Sequence, residues 1–393
     1  AKYLTNLGVE PPKKISPRTG KETLAFGKTD KEFIELLEHP NEKVQVAVAA
    51  RLGVKSTLEE TRTENLIGVS ERGRLPIMLN YYGAHTGRFS GGDKLNLQNL
   101  PARGNNTIRR ALKAPKGQVL VACDSSQIEA RMVAWVAEQH DLVSAFAQGR
   151  DVYSEFASEV YGRAITKADK VERFVGKTCI LGLGYGMGAE KFRRTLEIGQ
   201  GDISVKISLD QADRIVRLYR QKNHKIVSLW QKCGSALGGI VARQTGSIAK
   251  MLEYDEQGIR LPNSLYIRYP ALRANGTNYE YISDARTYRK AIKERVMTGQ
   301  VDEISWTKIY GGKVTENLIQ AMARIVISEQ MTAIGQHYHV AFQVHDEIII
   351  TAPEDRASEA EQHLVRIMST APSWCTDLPV ACEAGYATNY GDT

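Results

Sequence analysis

Residues 118–131 read QVLVACDSSQIEAR, and residues 340–351 read VAFQVHDEIIIT. The first stretch opens with the apolar run of a buried strand and continues with a helical pattern. The second has apolar runs on both sides of a polar His345-Asp346 pair, which predicts two strands joined by a tight turn. Asp124 and Asp346 therefore both lie at the ends of apolar strands, and such strands can be neighbours in one sheet.

Two carboxylates that meet in one sheet have a specific chemical use. They can hold two Mg²⁺ ions about 3.5–4 Å apart, the spacing that clamps the attacking and leaving oxygens of an in-line displacement. Mg²⁺ suits this use because it prefers oxygen ligands and keeps open positions for phosphate. The structural alternative is that Asp124 caps a helix, or that Ser126 and Glu129 form an S-x-x-E capping box. Taken alone, neither motif decides between the two interpretations.

A third segment, RFVGKTCILGLGYG, has four side chains at four-residue spacing: Arg173, Lys177, Leu181 and Tyr185. Residues at i and i+4 share one face of a helix. This face would present two cations, then an aliphatic group, then an aromatic ring. The order matches a nucleoside triphosphate laid along the helix, with its phosphates at the cations and its base at the ring. The alternative is an ordinary amphipathic helix whose glycine-rich end is frayed.

Positive charge is concentrated in two parts of the chain, although the net charge is only +7. Nine Lys/Arg and one Asp lie between Arg72 and Lys116, and eight Lys/Arg and three acids lie between Arg163 and Arg194. Such concentration suits a polyanion, either nucleic acid or a nucleoside triphosphate. A solvated basic face is the alternative.

Other features of the sequence exclude several protein classes. No apolar run is long enough to cross a bilayer, and the first residues lack the apolar core of a signal peptide. The five cysteines are scattered and form no CxxC pair, which argues against a zinc site or a disulfide framework and for a reducing, intracellular setting.

The remaining pattern predicts two or three sub-domains, because 393 residues exceed one compact core. Residues 1–30 are expected to be loop with a short hairpin, and Asp30 is a candidate N-cap for a helical stretch that reaches about Leu66. The polar, basic residues 83–107 predict a long ordered loop. Helical parts are predicted at 151–198 and 210–237, and a long amphipathic helix at 311–336. A basic strand candidate lies at 261–270.

Four stretches, in order, resemble motifs of family A DNA polymerases, the bacterial DNA polymerase I type. They are HTGRFSGG…NLQNLP at 85–101, CDSSQIEAR at 123–131, RFVGKTCILGLGYG at 173–186 and QVHDE at 343–347. Other stretches, such as SPRTGKETLAF and LPNSLYIRYPALR, look most like the bacteriophage branch. The resemblance implies an α+β, right-hand polymerase fold. Its parts would be the end of a thumb (1–78), a palm with an antiparallel sheet (79–131 and 311–393) and helical fingers (132–310).

For catalysis, the resemblance implies a two-metal site. Asp124 and Asp346 would bind both Mg²⁺ ions, with the Ser125 carbonyl completing the site and Glu347 as a secondary acid; Mn²⁺ is expected to substitute. Lys177 would also protonate the pyrophosphate leaving group.

For the substrates, the resemblance implies two further sets of contacts. The incoming dNTP would be bound by Arg173, Lys177, Leu181, Tyr185, Glu129, Gln127 and Tyr153. Glu129 would exclude a 2′-hydroxyl, and Tyr185 would stack near the templating base. Primer–template DNA would be contacted by Arg88, Asn96, Gln98, Asn99, Gln320 and His345.

The chain departs from the family pattern at three places. Ser125 replaces a Tyr after the first metal-binding Asp, where only the backbone is needed. Leu181 replaces a Phe or Tyr that faces the sugar, so we expect sugar selection and insertion speed to differ. Tyr153 stands near the place where many members have a His, and we assign it a phosphate contact.

The function implied is template-directed DNA synthesis, transferring dNTPs to a primer 3′-OH, in phage DNA replication. The expected protein is a monomer in the cytoplasm of the host cell, with no membrane association and with replication accessory proteins as further partners. We expect no 3′–5′ exonuclease domain in this chain and a thumb that begins upstream of residue 1. Two alternatives are a single-subunit RNA polymerase, which Glu129 argues against, and a decayed polymerase that only binds primer–template.

Overall fold

The computed structural model describes residues 1–15, 22–27, 30–53, 58–92, 96–100, 106–200, 203–283 and 306–393. Its chain separates into two compact units, Ala1–Leu75 and Pro76–Thr393.

The first unit is mainly helical. Its elements are α1 (Lys2–Asn6), β1 (Lys13–Ile15), β2 (Glu22–Leu24), α2 (Lys31–Glu35), α3 (Glu42–Gly53) and α4 (Leu58–Ser70). The two strands pair antiparallel, which confirms the predicted hairpin. A small core of Leu4, Phe33, Val44 and Val48 holds the unit together.

The helical stretch predicted from Asp30 is interrupted. A 3₁₀ turn at Leu36–Glu38 separates α2 from α3, so the predicted helical stretch consists of several helices. Asp30 is at the N-cap position, but its side chain does not cap the helix. Its carboxylate instead accepts hydrogen bonds from Lys14 Nζ (2.6 and 2.8 Å) and from the backbone N–H of Gly27 (2.7 Å).

The second unit contains ten described α-helices. They are α5 (Thr107–Ala111), α6 (Ile128–Val136), α7 (His140–Ala147), α8 (Val152–Tyr161), α9 (Lys170–Thr178), α10 (Ala189–Ile198), α11 (Leu209–Lys222), α12 (His224–Val241), α13 (Gly311–Gly335) and α14 (Ala357–Met368). The predicted helical regions at 151–198, 210–237 and 311–336 are confirmed. In the ranges that the structure describes, no helix combines the length and the apolar character needed to cross a membrane.

The strands of this unit form four antiparallel groups. They are β3 (Leu79–Asn80), β4 (Ser90–Gly91), β5 (Gln118–Ser125), β6 (Gly246–Ala249), β7 (Leu252–Asp255), β8 (Gly258–Arg260), β9 (Tyr266–Ile267), β10 (Arg273–Asn275), β11 (Asn278–Tyr281), β12 (Thr307–Ile309), β13 (His339–Val344), β14 (Glu347–Pro353) and β15 (Cys382–Ala387). Strands β3 and β4 lie in the predicted loop at 83–107 or beside it; residues 93–95 and 101–105 of that loop are outside the described ranges.

The central sheet has the order β13-β14-β5-β15, with every neighbouring pair antiparallel. Alternate residues of a strand point to opposite faces. On β5, Val119, Val121 and Cys123 face a core that also includes Ile348 and Ile350 and lies against α14. The opposite face of the same strand carries Asp124. The predicted sheet and the tight turn between β13 and β14 are both confirmed.

Residues 246–309 lie in the range assigned to the fingers. Their described part forms two sheets, β6-β7-β8-β9 and β10-β11-β12, which we call the inserted sheets. A two-residue loop, Gly276-Thr277, joins β10 to β11, and Gly276 at φ +60° supplies the positive φ that its first position requires. Strand β9 falls within the predicted strand at 261–270 but is only two residues long.

Candidate active site

Asp124 lies inside strand β5, which continues to Ser125 instead of ending at Cys123. The helix after it starts at Ile128, and its N-cap position is occupied by Gln127 in a left-handed conformation (φ 57°) without a side-chain cap. The interpretations of Asp124 as a helix cap and of Ser126 with Glu129 as a capping box are therefore wrong. Asp124 needs another explanation for its place on a buried strand.

Three acids stand in a row across the central sheet. Glu347 on β14 and Glu383 on β15 are both register partners of Asp124 on the strand between them. Directly opposed residues on antiparallel strands point to the same face, with Cβ atoms about 4.5–5.5 Å apart. Asp346 lies in the adjacent turn, where its backbone carbonyl accepts a hydrogen bond from the Ser125 N–H (3.1 Å). The fold thus brings together both predicted metal-binding aspartates and the secondary acid.

The electrostatics of this acidic row are unfavourable without a cation. Although solvent reaches Asp124, the burial of its carboxyl group and the charges of Asp346, Glu347 and Glu383 raise its pKa to about 7. Burial is also the main cause that raises the pKa values of Asp346 and Glu347. A bound divalent cation would offset both effects.

One phenol, Tyr390, and one cation, Arg109, lie beside the acids. Tyr390 donates a hydrogen bond from its hydroxyl to Glu347 Oε2 (2.5 Å). The Arg109 guanidinium lies over the Tyr390 ring, 4.6 Å from its centroid. Its positive charge offsets part of the rise in the pKa values of Asp124 and Glu347.

Sequence reasoning missed Glu383, Arg109 and Tyr390. The pattern CEAGYA could have placed Glu383 at the start of a strand, but only the register shows which strand it joins. Arg109 and Tyr390 are far apart in the chain and carry no local signal.

The chemistry of these side chains fits Mg²⁺, because carboxylate oxygens are the ligands that it prefers. In the described ranges, no three His, Cys, Asp or Glu side chains already converge as metal ligands. The fit therefore rests on the oxygen donors and the surplus negative charge at Asp124 and Asp346. The Ser125 hydroxyl and Arg109 Nε are buried here without a hydrogen-bond partner among the described residues.

The predicted triphosphate helix is only partly regular. The α-helix α9 carries Arg173 and Lys177 but ends at Thr178, and a π-helical turn, Cys179–Leu183, follows it. Leu181 lies in that turn with 37% of its surface exposed, and Tyr185 comes after it. The prediction of one continuous α-helical face through Tyr185 is therefore wrong. Short π-helical segments are frequent at functional sites.

Arg173 is paired with Asp151 at the start of α8. Its Nε and Nη2 atoms donate to the two carboxylate oxygens at 2.7 and 3.1 Å. Burial would raise the pKa of Asp151, but the hydrogen bonds from Arg173 and Ser154 outweigh it, so the pKa is lowered.

Tyr153 lies beneath the Arg173 guanidinium, 5.3 Å from ring centroid to Cζ. Only 5% of Tyr153 is exposed, because its ring packs in the core between α8 and α9. A phosphate contact predicted for Tyr153 is not supported by this burial; the ring supports Arg173 instead. Lys177 Nζ donates to Gln200 Oε1 at 3.5 Å.

Glu129 lies among the residues predicted to contact the sugar, the template and the primer. It forms an ion pair with Arg88, and Tyr185 donates its hydroxyl to Glu129 Oε2 at 3.4 Å. His345 is exposed in the turn before β14, with φ 54°. Although solvent reaches His345, the partial burial of its imidazole and the positive charge of Arg88 lower its pKa. The residues assigned to sugar, template and primer thus lie around one carboxylate.

The other predicted DNA contacts are carried by two further elements. The Asn96 side chain caps the 3₁₀ turn Leu97–Asn99, which carries Gln98 and Asn99 and packs against β4 and β13. Gln320 is half-buried on α13, with Nε2 3.5 Å from Glu316 Oε1.

The comparison with family models matches residues 4–242 to DNA polymerase family A. This range is more than half of the chain and contains Asp124 and the segment from Arg173 to Tyr185. The chain belongs to DNA polymerase family A. Its membership confirms the resemblance on which the site residues were assigned.

Individual relatives agree with this family. The chain is 28% identical to the thermostable DNA polymerase I of Thermus thermophilus over 315 residues, which are 80% of this chain and 32% of the relative. It is 24% identical to a DNA polymerase of Bacillus phage SP02 over 401 aligned positions, 91% of this chain and 58% of the relative. The chain thus spans between a third and three fifths of the length of these relatives.

A solved structure shows the same fold. It is the POL domain of Pol1 from M. smegmatis, in complex with DNA primer–template and dNTP. The likeness has a TM-score of 0.65 at 22% identity and covers 100% of this chain and 60% of that one. The expected α+β, right-hand polymerase fold is confirmed.

Proposed function

We propose that this family A chain is a template-directed DNA polymerase that adds dNTPs to a primer 3′-OH. The observation that supports it best is that Asp124 on β5 lies beside the β13–β14 turn that carries Asp346, with Glu347 on the same sheet. The sheet faces solvent at Asp124, so a substrate and its cations can approach. Primer–template DNA and dNTPs are the substrates we propose, with phage DNA replication as the setting.

Asp124 and Asp346 would hold two Mg²⁺ ions, with the Ser125 carbonyl as a further ligand. When bound, the ions supply charge neutralisation on the phosphates and activation of the 3′-hydroxyl. Glu347, anchored by Tyr390, stays beside them as an outer acid. The raised pKa values of the acids are consistent with a site that is stable only when a cation is present.

The triphosphate would lie along α9 and the π-helical turn. Asp151 holds Arg173 in a bidentate geometry, which pre-orders the guanidinium for a phosphate oxygen. Lys177, one turn further on, is the residue that we propose to protonate the pyrophosphate leaving group. Leu181 is exposed where the sugar would lie.

Glu129 would select the sugar. Arg88 and Tyr185 hold its carboxylate from two sides, so a 2′-hydroxyl that enters this space meets a fixed group. A fixed steric and polar barrier discriminates against the added hydroxyl of a ribonucleotide. In this view residues 1–78 correspond to the end of a thumb, and the central sheet belongs to the palm.

Primer extension tests this proposal directly. The wild-type chain is compared with Asp346→Ala, and Asp210→Asn serves as control because Asp210 is an exposed aspartate on α11. We expect extension by the wild type and the control, and a loss of about 10³-fold or more in Asp346→Ala. Binding of primer–template without extension by the wild type would instead support the decayed binding module, and efficient rNTP use would support the RNA polymerase alternative.

A further inference from the structure

His85 connects the Arg88 loop to the inserted sheets. Its ring centroid lies 5.3 Å from that of Tyr269 and 5.8 Å from that of Tyr281. Its Nε2 donates a hydrogen bond to the backbone carbonyl of Arg268 (2.6 Å), since a carbonyl oxygen can only accept. The imidazole is thereby held by two rings and one hydrogen bond.

The two tyrosines under His85 are buried, with 5% and 7% of their surfaces exposed. Tyr269 follows β9 and Tyr281 is on β11, and their rings meet edge to face with centroids 5.2 Å apart. The Tyr269 hydroxyl accepts a hydrogen bond from Asn317 Nδ2 (3.3 Å). Asn317 is itself buried on α13, so one polar contact connects the inserted sheets to this helix.

The loop between His85 and Arg88 is too short and too constrained to absorb a displacement. It contains only Thr86, which is buried, and Gly87, whose φ of +76° favours glycine. The Gly87 N–H donates to the Ala84 carbonyl (3.0 Å), and the Ala84 N–H donates to the Arg88 carbonyl (3.1 Å). The position of His85 therefore determines that of Arg88, which holds Glu129.

The same arrangement includes a neighbour of Gln320, which is predicted to contact DNA. Gln320 lies three residues after Asn317, so both are near one another on α13. The inserted sheets lie beyond the family match at residues 4–242, whereas His85 and Arg88 lie within it.

We propose that His85, Tyr269 and Asn317 are positioning residues through which the inserted sheets set the Arg88–Glu129 pair for sugar selection. The proposal rests on the polymerase function proposed above. The rings hold the loop from below, and the Tyr269–Asn317 hydrogen bond fixes the sheets to α13. Neither His85 nor Tyr269 touches the substrate in this account; both act through Arg88.

Single-nucleotide insertion tests the proposal. The ratio of kcat/KM for dNTP to that for rNTP is measured for the wild type, His85→Ala, Tyr269→Phe and Arg88→Ala. Tyr266→Phe is the control, because the Tyr266 hydroxyl donates its hydrogen bond to Asp255, within the same inserted sheets. We expect His85→Ala to lower the ratio about tenfold, Tyr269→Phe to lower it less, and Tyr266→Phe to leave it unchanged.

A double variant distinguishes positioning from general damage. If His85 acts through Arg88, His85→Ala with Arg88→Ala lowers the ratio no further than Arg88→Ala alone. A His85→Ala protein with a lower melting temperature and a wild-type ratio would overturn the proposal, because that result describes a structural role only.

Hydrogen exchange gives a readout that needs no activity. We expect the amides of Ala84 and Gly87 to exchange faster in His85→Ala and Tyr269→Phe than in the wild type or Tyr266→Phe. If the wild type inserts neither nucleotide, the polymerase proposal fails, and exchange still decides whether His85 holds the loop. Unchanged exchange in His85→Ala would contradict the positioning role whatever the activity.

Discussion

Asp124 and Glu347 are register partners on neighbouring antiparallel strands, so their carboxylates share one face of the central sheet. Burial and the negative charges of Asp346, Glu347 and Glu383 raise the pKa of Asp124. An acid whose folded-state pKa is raised destabilises the fold once it is ionised. This contribution is absent well below the ordinary Asp pKa, about 3.9, and is complete above the raised value, about 7.

We therefore expect Asp124→Asn to stabilise the protein at pH 8 without divalent cations. After allowance for solvent screening at this exposed side chain, the gain is about 1–2 kcal/mol in the free energy of unfolding. Denaturant unfolding in EDTA at pH 8 and pH 4 measures it. The gain should vanish at pH 4 and reverse with Mg²⁺, which stabilises only a protein that binds it. Equal stability of both proteins at pH 8 in EDTA would refute the repulsion.

Asp151→Asn removes the anionic partner of Arg173. We expect it to lower the free energy of unfolding by about 1–2 kcal/mol at pH 7, since charge-assisted hydrogen bonds are lost. The pKa of Asp151 is lowered, so this stabilisation is complete above the ordinary Asp pKa and is lost as pH falls below it.

The KM for dNTP should also rise in Asp151→Asn, because Arg173 is no longer pre-ordered. Asp213→Asn is the matched control, since Asp213 pairs with Arg217 on an exposed helix surface. Its effect should stay within about 0.5 kcal/mol. An unchanged KM in Asp151→Asn would show that Asp151 does not prepare Arg173 for the nucleotide.

Glu129→Ala removes the proposed sugar barrier. We expect rNTP insertion to increase about a hundredfold relative to dNTP insertion, since the added hydroxyl no longer meets a fixed group. Steady-state insertion of dATP and ATP opposite the same template base measures the ratio. A wild-type ratio in Glu129→Ala would move sugar selection to another residue, and Leu181 would be examined next.

Gly176→Ala tests the contact between α8 and α9. An added Cβ at Gly176 would fall well inside contact distance of the Tyr153 carbonyl oxygen, a backbone atom that cannot turn aside. We expect a loss of about 1–3 kcal/mol in the free energy of unfolding. Gly188→Ala is the control, because no atom of the described residues lies within 4 Å of its added Cβ. Equal stability of the two variants would mean that the helices separate easily.

The sequence predicted those features that depend on local pattern. Alternating and continuous apolar runs predicted β5 and the β13–β14 hairpin, and their acids were placed correctly at one sheet. The long helix α13 followed from its 3.6-residue period. The family motifs supplied the roles of the individual residues.

Features that depend on pairing between distant segments were not predicted. The position of Glu383 opposite Asp124 is set by the register of β15, which no local signal encodes. The π-helical turn at Cys179–Leu183 replaced an expected α-helix, and the Arg173–Asp151 pair joins two helices. The inserted sheets were missed because their strands are only two to four residues long, which is too short for a clear period.

The central claim is that Asp124 and Asp346 hold the divalent cations for nucleotidyl transfer. Its most direct test is Mn²⁺ titration, followed by electron paramagnetic resonance, of the protein bound to primer–template and a non-hydrolysable dNTP analogue. We expect two bound ions per wild-type chain and the loss of at least one in the Asp124→Asn, Asp346→Asn double variant, with Asp210→Asn unchanged. Two ions bound with wild-type affinity by the double variant would contradict the account.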